Sequence, residues 1–152
     1  MKNQKYQQLV DLVVFALLGV IMFISKYITD ALPNIHFIGM LTMTYTITYR
    51  KKALVPIYVF VLLIGLFNGF GLWWIPYLYI WAILWAVTML LPRNMNVKIA
   101  IPVYAVVCAL HGLCYGVLYA PAQALMYGLD FKGTLAWVGA GLYFDLLHGI
   151  GN

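Results

Sequence analysis

The side chains best suited to chemistry lie near the carboxyl end of the chain, where polar residues recur at helical spacing. Trp137, Gly141, Asp145, His148 and Asn152 follow one another at intervals of three or four residues, so a helix places them on one face. An aspartate inside an apolar segment costs at least about 2.5 kcal/mol unless it has a partner. We therefore expect Asp145 and His148 either to pair with each other, as a structural hydrogen bond, or to bind a ligand.

A second polar stripe repeats every fourth residue, at His111, Tyr115 and Tyr119. One helix face then presents an imidazole and two phenols, which suits hydrogen bonding in a cavity. The alternative is that His111 is a packing residue whose ring is already satisfied. Gly112 and Gly116 lie on the neighbouring stripe and would allow another helix to approach closely.

Large aromatic side chains form a third stripe, at Trp74, Tyr77, Trp81 and Trp85. Aromatic residues of this kind form belts at the membrane interface and also pack helices together. The other interpretation is a wall on which a flat ring stacks, since offset aromatic pairs add about 0.5 to 1.5 kcal/mol beyond burial.

Further polar residues cluster where segments of the chain connect. Asn34 and His36 shape the first connection, and Asn68 lies between glycines at the end of a later apolar run. Lys26 and Asp30 are four residues apart, which favours an ion pair over contact with a substrate. We expect these residues to surround one end of a cavity.

The chain lacks the patterns of an enzyme or a metal site. It has no nucleophile elbow, no phosphate-binding loop and no paired acids. A structural zinc site needs four ligands, and no cysteine accompanies Asp145, His148 and Asn152. We expect no catalytic residue, no metal and no other cofactor, and we interpret Cys108 and Cys114 as buried thiols.

The composition indicates that these stripes lie in a lipid environment. Of 152 residues, 65% are hydrophobic and 9% are charged, and the only acidic residues are four aspartates. A soluble domain is about 25% charged. This composition excludes an ordinary cytosolic enzyme. The net charge of +5 comes from basic residues scattered in small groups, which excludes a continuous basic face for nucleic acid.

Breaks between the apolar runs predict an all-α membrane protein, a bundle of six transmembrane helices in a single domain over residues 1–152. The predicted segments 1 to 6 lie near residues 9–31, 35–49, 53–70, 73–91, 99–119 and 134–152, the last break covering Ala120 to Gly133. Segment 2 is short for a span. Segment 6 ends at Asn152 without a polar flank, so we expect the natural element to be longer.

The basic residues predict the orientation. Cytoplasmic loops are enriched in Lys and Arg, and seven of the nine cations precede segment 1 or follow segments 2 and 4. Both termini are then cytoplasmic. A stripe of small residues, Ala16, Gly19 and Val20, lies on the cytoplasmic half of segment 1, where it either packs internally or docks a partner helix.

The chain resembles a known family, the substrate-specific S components of energy-coupling factor (ECF) vitamin transporters. The resemblance covers essentially the whole chain and is carried by residues 32–36, 65–70, 73–81, 118–124 and 144–152 (LPNIH, GLFNGF, WWIPYLYIW, LYAPAQA and FDLLHGIGN). It is nearest to members assigned to hydroxymethylpyrimidine or pyridoxine. Members of the family often continue past the position of Asn152.

The resemblance implies a six-helix bundle in the bacterial plasma membrane that captures a vitamin or vitamin precursor from outside. It also implies three partner subunits, a transmembrane coupling protein and two cytoplasmic ATPases. Ala16 and Val20 would occupy the helix positions with which the family meets the coupling protein, although Val20 is bulkier than the usual alanine. Nucleic acid is not an expected partner.

The family's binding cavity lies toward the outside among helices 4, 5 and 6. The predicted substrate-binding residues are Asn34, His36, Asn68, Tyr77, Trp81, Trp85, His111, Tyr115, Asp145 and His148. Two other functions remain open, a self-sufficient carrier or channel for small solutes and a structural subunit without a ligand.

Overall fold

A computed structural model describes residues 2–31 and 35–152, and within these ranges the chain is helical with no strand. The helices are α1 (Lys2–Ile28), α2 (Ile38–Tyr49), α3 (Leu54–Asn68), α4 (Tyr77–Leu90), α5 (Val97–Leu113), α6 (Tyr115–Tyr127) and α7 (Phe131–Gly151). Short 3-10 turns lie at Arg50–Ala53 and Leu72–Trp74.

Four helical stretches in the described part of the chain are long and apolar enough to cross a membrane. They are Asn3–Ile28, Ile38–Asn68, Leu72–Leu90 and Val97–Tyr127. The expected count of six is not supported by length and hydropathy, for two reasons. Helical residues join predicted segments 2 and 3 into one stretch, and α7 is less apolar because it carries Lys132, Asp145 and His148. The chain is an all-α protein with helices typical of a membrane protein.

The chain nevertheless reverses its direction between α2 and α3. Arg50 has φ 54°, a conformation that interrupts a helix. Along α1, Phe15 contacts Tyr49 and Leu18 contacts Tyr45, so α1 and α2 are antiparallel. Gly19 lies against Val59 and Phe23 against Phe67, so α1 and α3 are parallel. Helices α2 and α3 therefore run in opposite directions beside α1.

Basic residues gather at one end of the molecule, which we call the basic end and define by Arg50, Lys51 and Lys52. The Arg50 guanidinium donates to the Met89 carbonyl at the end of α4, with an N to O distance of 3.0 Å. Lys52 forms an ion pair of 2.6 Å with Asp11 near the start of α1. The basic turn, the start of α1 and the end of α4 thus share this end.

The core lies where α1, α2, α3 and α4 meet. Its fully buried members include Met22, Ile38, Phe60 and Trp81, each at most 1% exposed. A smaller cluster of Met43, Leu84 and Cys108 joins α2, α4 and α5. Cys108 is buried as expected, whereas Cys114 is exposed, which corrects its interpretation as a buried thiol.

Helices α5 and α6 follow one another directly, with only Cys114 between them. The predicted break from Ala120 to Gly133 is therefore wrong over most of its length, because α6 continues through Pro121 to Tyr127. The Tyr79 hydroxyl donates to the Leu118 carbonyl at 2.8 Å, in the turn that precedes the proline. Gly128, with φ 64°, ends the helix.

Helix α7 packs along α5 and α6, and two glycines make this approach possible. A Cβ atom on Gly112 would lie 2.7 Å from the backbone of His148, and one on Gly116 would lie 2.5 Å from the Asp145 carboxylate. Both distances are too short for a side chain, so the close helix contact predicted from these glycines is confirmed. It brings the polar face of α7 against α5 and α6.

Candidate ligand-binding site

Three histidines from separate parts of the chain converge around one tryptophan. His36 precedes α2, His111 lies on α5 and His148 on α7. The rings of His36 and His148 are 4.6 Å apart between centroids. Trp81 on α4 lies 5.8 Å from His36 and 5.7 Å from His111. The predicted residues of three stripes and of the first connection therefore meet at one place.

Aromatic rings continue this cluster toward the end of the molecule opposite the basic end. Tyr115 lies 4.4 Å from His148 and 6.0 Å from Trp81 between ring centroids. Tyr77 lies 6.2 Å from Trp81 at an angle of 69°. The rings of Tyr77, Trp81 and Tyr115 thus pack against one another in the interior of the bundle.

The polar atoms of this cluster are buried, yet many of them have no hydrogen-bond partner among the described residues. The unpartnered atoms are His36 Nδ1, Trp81 Nε1, His111 Nδ1, Asp145 Oδ2 and both ring nitrogens of His148. Buried polar groups in native proteins are nearly always paired, and an unpaired one costs about 1 to 3 kcal/mol. We call His36, Trp81, His111, Tyr115, Asp145 and His148 the polar cluster.

His111 shows which hydrogen-bond donors and acceptors remain unused in the polar cluster. Its Nε2 donates to the Ile80 carbonyl at 3.1 Å, so a neutral ring leaves Nδ1 as a hydrogen-bond acceptor. Trp81 Nε1 can only donate. The cluster therefore offers both donors and acceptors within a few ångströms of aromatic surfaces.

Asp145 and His148 do not pair with each other, so the structural hydrogen bond considered above is excluded. Asp145 Oδ1 instead accepts the Gly116 backbone N–H at 2.9 Å. Gly116 is the second residue of α6, and a carboxylate is favoured at such a helix start. Asp145 Oδ2 is buried and has no hydrogen-bond partner among the described residues.

A cavity of about 250 Å³ lies between α6 and α7 beside the polar cluster. Its lining residues are Tyr115, Gly116, Tyr119, Trp137, Gly141, Phe144 and Asp145. The rings of Tyr119 and Trp137 are stacked, 5.8 Å apart and inclined by 27°. Neither residue belonged to the predicted substrate-binding set, although both lie on the polar stripes from which that set was drawn.

Two of the predicted binding residues, Trp85 and Asn68, do not join this site. Trp85 is turned toward the basic end, where its Nε1 donates to the Arg50 carbonyl at 3.0 Å. Asn68 is exposed at the end of α3. Asn34 lies outside the described residues. Helical spacing alone put Trp85 on the aromatic stripe and could not give its height along the bundle.

The small-residue stripe of α1 divides between two environments. Gly19 is buried against Val59 of α3, where a Cβ atom would lie 2.5 Å from the valine side chain. Ala16 is half-buried, and Val20 is 36% exposed. Gly19 therefore packs internally, while Ala16 and Val20 remain within reach of a partner.

The charged residues near the cluster do not form a metal centre. Among the residues that the structure describes, no group of three His, Cys, Asp or Glu side chains is placed to hold a metal ion. Lys26 and Asp30 form the expected ion pair at 2.7 Å. The hydrogen bond from Lys26 and its charge lower the pKa of the Asp30 carboxyl, which follows the end of α1.

The cavity between α6 and α7 is lined by aromatic rings and by the Asp145 carboxylate. The histidine ring nitrogens and the Trp81 indole N–H lie in the buried polar cluster beside it. Protein-family models, curated proteins and solved structures were each compared with the chain, and none matches.

Proposed function

We propose that this chain is the S component of an ECF-type importer and that it binds a small vitamin or vitamin precursor with a hydroxymethylpyrimidine-like or pyridoxine-like ring. One observation carries the proposal: buried polar atoms from four parts of the chain, without a hydrogen-bond partner among the described residues, converge beside aromatic rings. A protein without a ligand would gain stability by replacing these atoms with apolar groups.

The distribution of charge supports capture from outside. Cytoplasmic loops are rich in Lys and Arg, and the basic end carries Arg50, Lys51 and Lys52. The polar cluster lies in the opposite half of the molecule, beside the start of α4 and the first residues of α2. In the proposed orientation the amino terminus is cytoplasmic, six segments cross a bacterial plasma membrane, and the ligand enters from the outer face.

Each part of the polar cluster has a role in the proposed binding. Trp81, Tyr77 and Tyr115 provide surfaces on which the ring stacks. His111, His148 and Asp145 read its nitrogen, hydroxyl or amino groups through the atoms that lack protein partners. His36, which follows the connection between α1 and α2, closes the site.

Energy comes from partner subunits in this proposal. A transmembrane coupling protein docks against Ala16 and Val20 on α1, and two cytoplasmic ATPases drive release of the ligand inward. The half-exposed position of these two residues leaves room for a partner helix.

Ligand binding and partner binding test the proposal separately. Purified full-length chain is titrated with pyrimidine and pyridoxine compounds and followed by thermal melting, and a tagged chain is used to isolate partner subunits. The proposal predicts a higher melting temperature with one class of ligand and recovery of ATPase subunits. Uptake by vesicles that contain this chain alone would favour a self-sufficient carrier instead.

A further inference from the structure

A polar cleft opens at the basic end, between the first turns of α1 and the turn that precedes α3. Its volume is about 500 Å³. The described residues that line it are all polar: Asn3, Gln4, Gln7, Gln8, Asp11 and Lys52. Side-chain amides both donate and accept hydrogen bonds, and the lysine ammonium donates. The polar cleft therefore suits a group that carries oxygen acceptors together with hydroxyl groups.

The charge around the polar cleft favours an anion. Asp11 is already paired with Lys52, with an N to O distance of 2.6 Å. Lys5 and Lys51 are exposed, and neither forms an ion pair with a described residue. The other three aspartates of the sequence lie after α1, at the start of α7 and within α7. A surplus of positive charge is thus left at the cleft, and it attracts an anionic group.

An apolar groove of about 550 Å³ begins where the polar cleft ends. Lys52 lines the cleft, and Leu54, two residues further along the chain, lines the groove. The other described lining residues follow along one face of α3: Val55, Tyr58, Val59 and Leu62. The Tyr58 hydroxyl already donates to the Leu78 carbonyl at 2.9 Å, so this residue offers its ring. The groove therefore presents a hydrocarbon surface next to a polar, basic one.

The length of the apolar groove is comparable with the depth of one leaflet of a bilayer. Between Leu54 and Leu62 the helix rises about 12 Å, at roughly 1.5 Å per residue. The hydrocarbon layer of one leaflet is roughly 15 Å deep, half of the total of about 30 Å. A molecule with its head in the polar cleft would thus extend its tail along α3 through most of one leaflet. In the orientation proposed above, this is the cytoplasmic leaflet.

From these two adjacent surfaces we propose that the basic end binds an anionic phospholipid, with its phosphate and glycerol groups in the polar cleft and one acyl chain in the groove on α3. The phosphate oxygens accept hydrogen bonds from Lys52 and from the amides of α1. A choline headgroup would bring a further positive charge to a place that already has a surplus. The lipid therefore belongs to the anionic class, of which phosphatidylglycerol is the probe. This site is separate from the polar cluster and needs no vitamin.

Competition between two lipids tests this assignment on the full-length protein in detergent. The protein is incubated with equal amounts of phosphatidylglycerol and phosphatidylcholine that carry the same acyl chains, and the retained lipid is identified by native mass spectrometry. We expect one retained phosphatidylglycerol per chain, preferred at least about fivefold, since each cation near a membrane surface contributes about a factor of five.

Two variants of the ion pair change this preference in opposite directions. Lys52→Gln is expected to reduce the preference about fivefold, because it removes a cation from the polar cleft. Asp11→Asn is expected to raise it, because Lys52 is then free of its acidic partner. An ion pair with only a structural role would lower the melting temperature in both variants and leave the lipid preference unchanged.

The apolar groove is tested by filling it. Val55→Trp, at a residue that is 42% exposed, is expected to reduce retention of both lipids at least about threefold and to keep the preference between them. Arg93→Gln and Val117→Trp are the matched controls, because each alters an exposed residue outside the cleft and the groove. Both controls are expected to retain lipid as the wild type does.

Several outcomes would overturn the inference, and none of them bears on the ligand of the polar cluster. Equal retention of the two lipids by the wild type overturns it, even if a variant does not fold. Equal effects of Lys52→Gln and Arg93→Gln would show diffuse attraction to surface charge in place of a site. A Val55→Trp variant that retains lipid normally but no longer isolates partner subunits would assign the groove to a coupling protein.

Discussion

Trp81 and Trp85 lie one turn apart on α4, and their indole N–H groups have different surroundings. Trp85 Nε1 donates to the Arg50 carbonyl, whereas Trp81 Nε1 is buried without a partner among the described residues. The two tryptophans therefore have different environments, one typical of helix packing and the other compatible with a binding site. Trp85 packs against the basic end, and Trp81 belongs to the polar cluster.

Replacing each tryptophan by phenylalanine tests this division. We expect Trp81→Phe to weaken ligand binding about 3- to 10-fold, because it removes one hydrogen bond of roughly 0.5 to 1.5 kcal/mol. Trp85→Phe is expected to lower the melting temperature, since it leaves the Arg50 carbonyl without its donor, and to keep the dissociation constant. Calorimetric titration and thermal melting of both variants provide the measurements. Equal loss of affinity in the two variants would contradict the assignment of Trp81.

At the scale of elements, the contact of α7 with α5 and α6 depends on glycine. Gly116 has two functions, because its N–H holds the Asp145 carboxylate and its missing side chain makes room for it. Gly139 on α7 provides a comparison, since a Cβ atom there would meet nothing within 4 Å. The two glycines therefore respond differently to the same added methyl group.

Gly116→Ala is expected to lower the free energy of unfolding by about 1 to 3 kcal/mol, because the methyl group displaces the carboxylate from a packed position. Ligand affinity should fall with it. Gly139→Ala is expected to leave affinity unchanged and to raise stability by up to about 1 kcal/mol, since alanine favours a helix over glycine. Thermal melting with and without ligand distinguishes these results, and equal behaviour of the two variants would show that close helix approach does not position Asp145.

The sequence predicts those features that depend on periodicity and fails where the height of a residue along the bundle matters. Spacing alone brought His111, Tyr115, Asp145 and His148 onto facing stripes, and the structure joins them. Spacing could not show that Asp145 binds the Gly116 N–H, because that contact depends on where α6 begins. The expected break from Ala120 to Gly133 was wrong over most of its length, because α6 includes Pro121 and continues to Tyr127.

In the whole molecule, the basic end and the small residues of α1 mark the surfaces that bear on its orientation and on partner binding. The basic end joins the start of α1, the turn after α2 and the end of α4. Ala16 and Val20 flank Gly19 on α1, and Gly19 packs against Pro56 and Val59 in the first half of α3. The surface available to the proposed coupling protein is therefore limited to Ala16 and Val20 and is narrower than the small-residue stripe of the sequence.

Ala16→Trp tests this surface. The bulky ring is expected to abolish complex formation and uptake, because it prevents close helix approach, and to leave ligand affinity unchanged. Leu17→Trp is the control, since Leu17 is adjacent in sequence and 57% exposed. Affinity isolation of partner subunits and uptake by cells report the result. Normal uptake in Ala16→Trp would exclude this face as the coupling surface.

The central claim is that the polar cluster binds a small ring compound. Mass spectrometry of the compound retained by freshly purified, full-length protein tests it most directly, with His148→Ala purified in parallel. The account predicts that the wild type retains a single-ring heteroaromatic molecule, that adding the molecule raises the melting temperature, and that His148→Ala retains less of it. A wild-type protein that retains no such molecule and is stabilised by none of the pyrimidine or pyridoxine compounds would contradict the account.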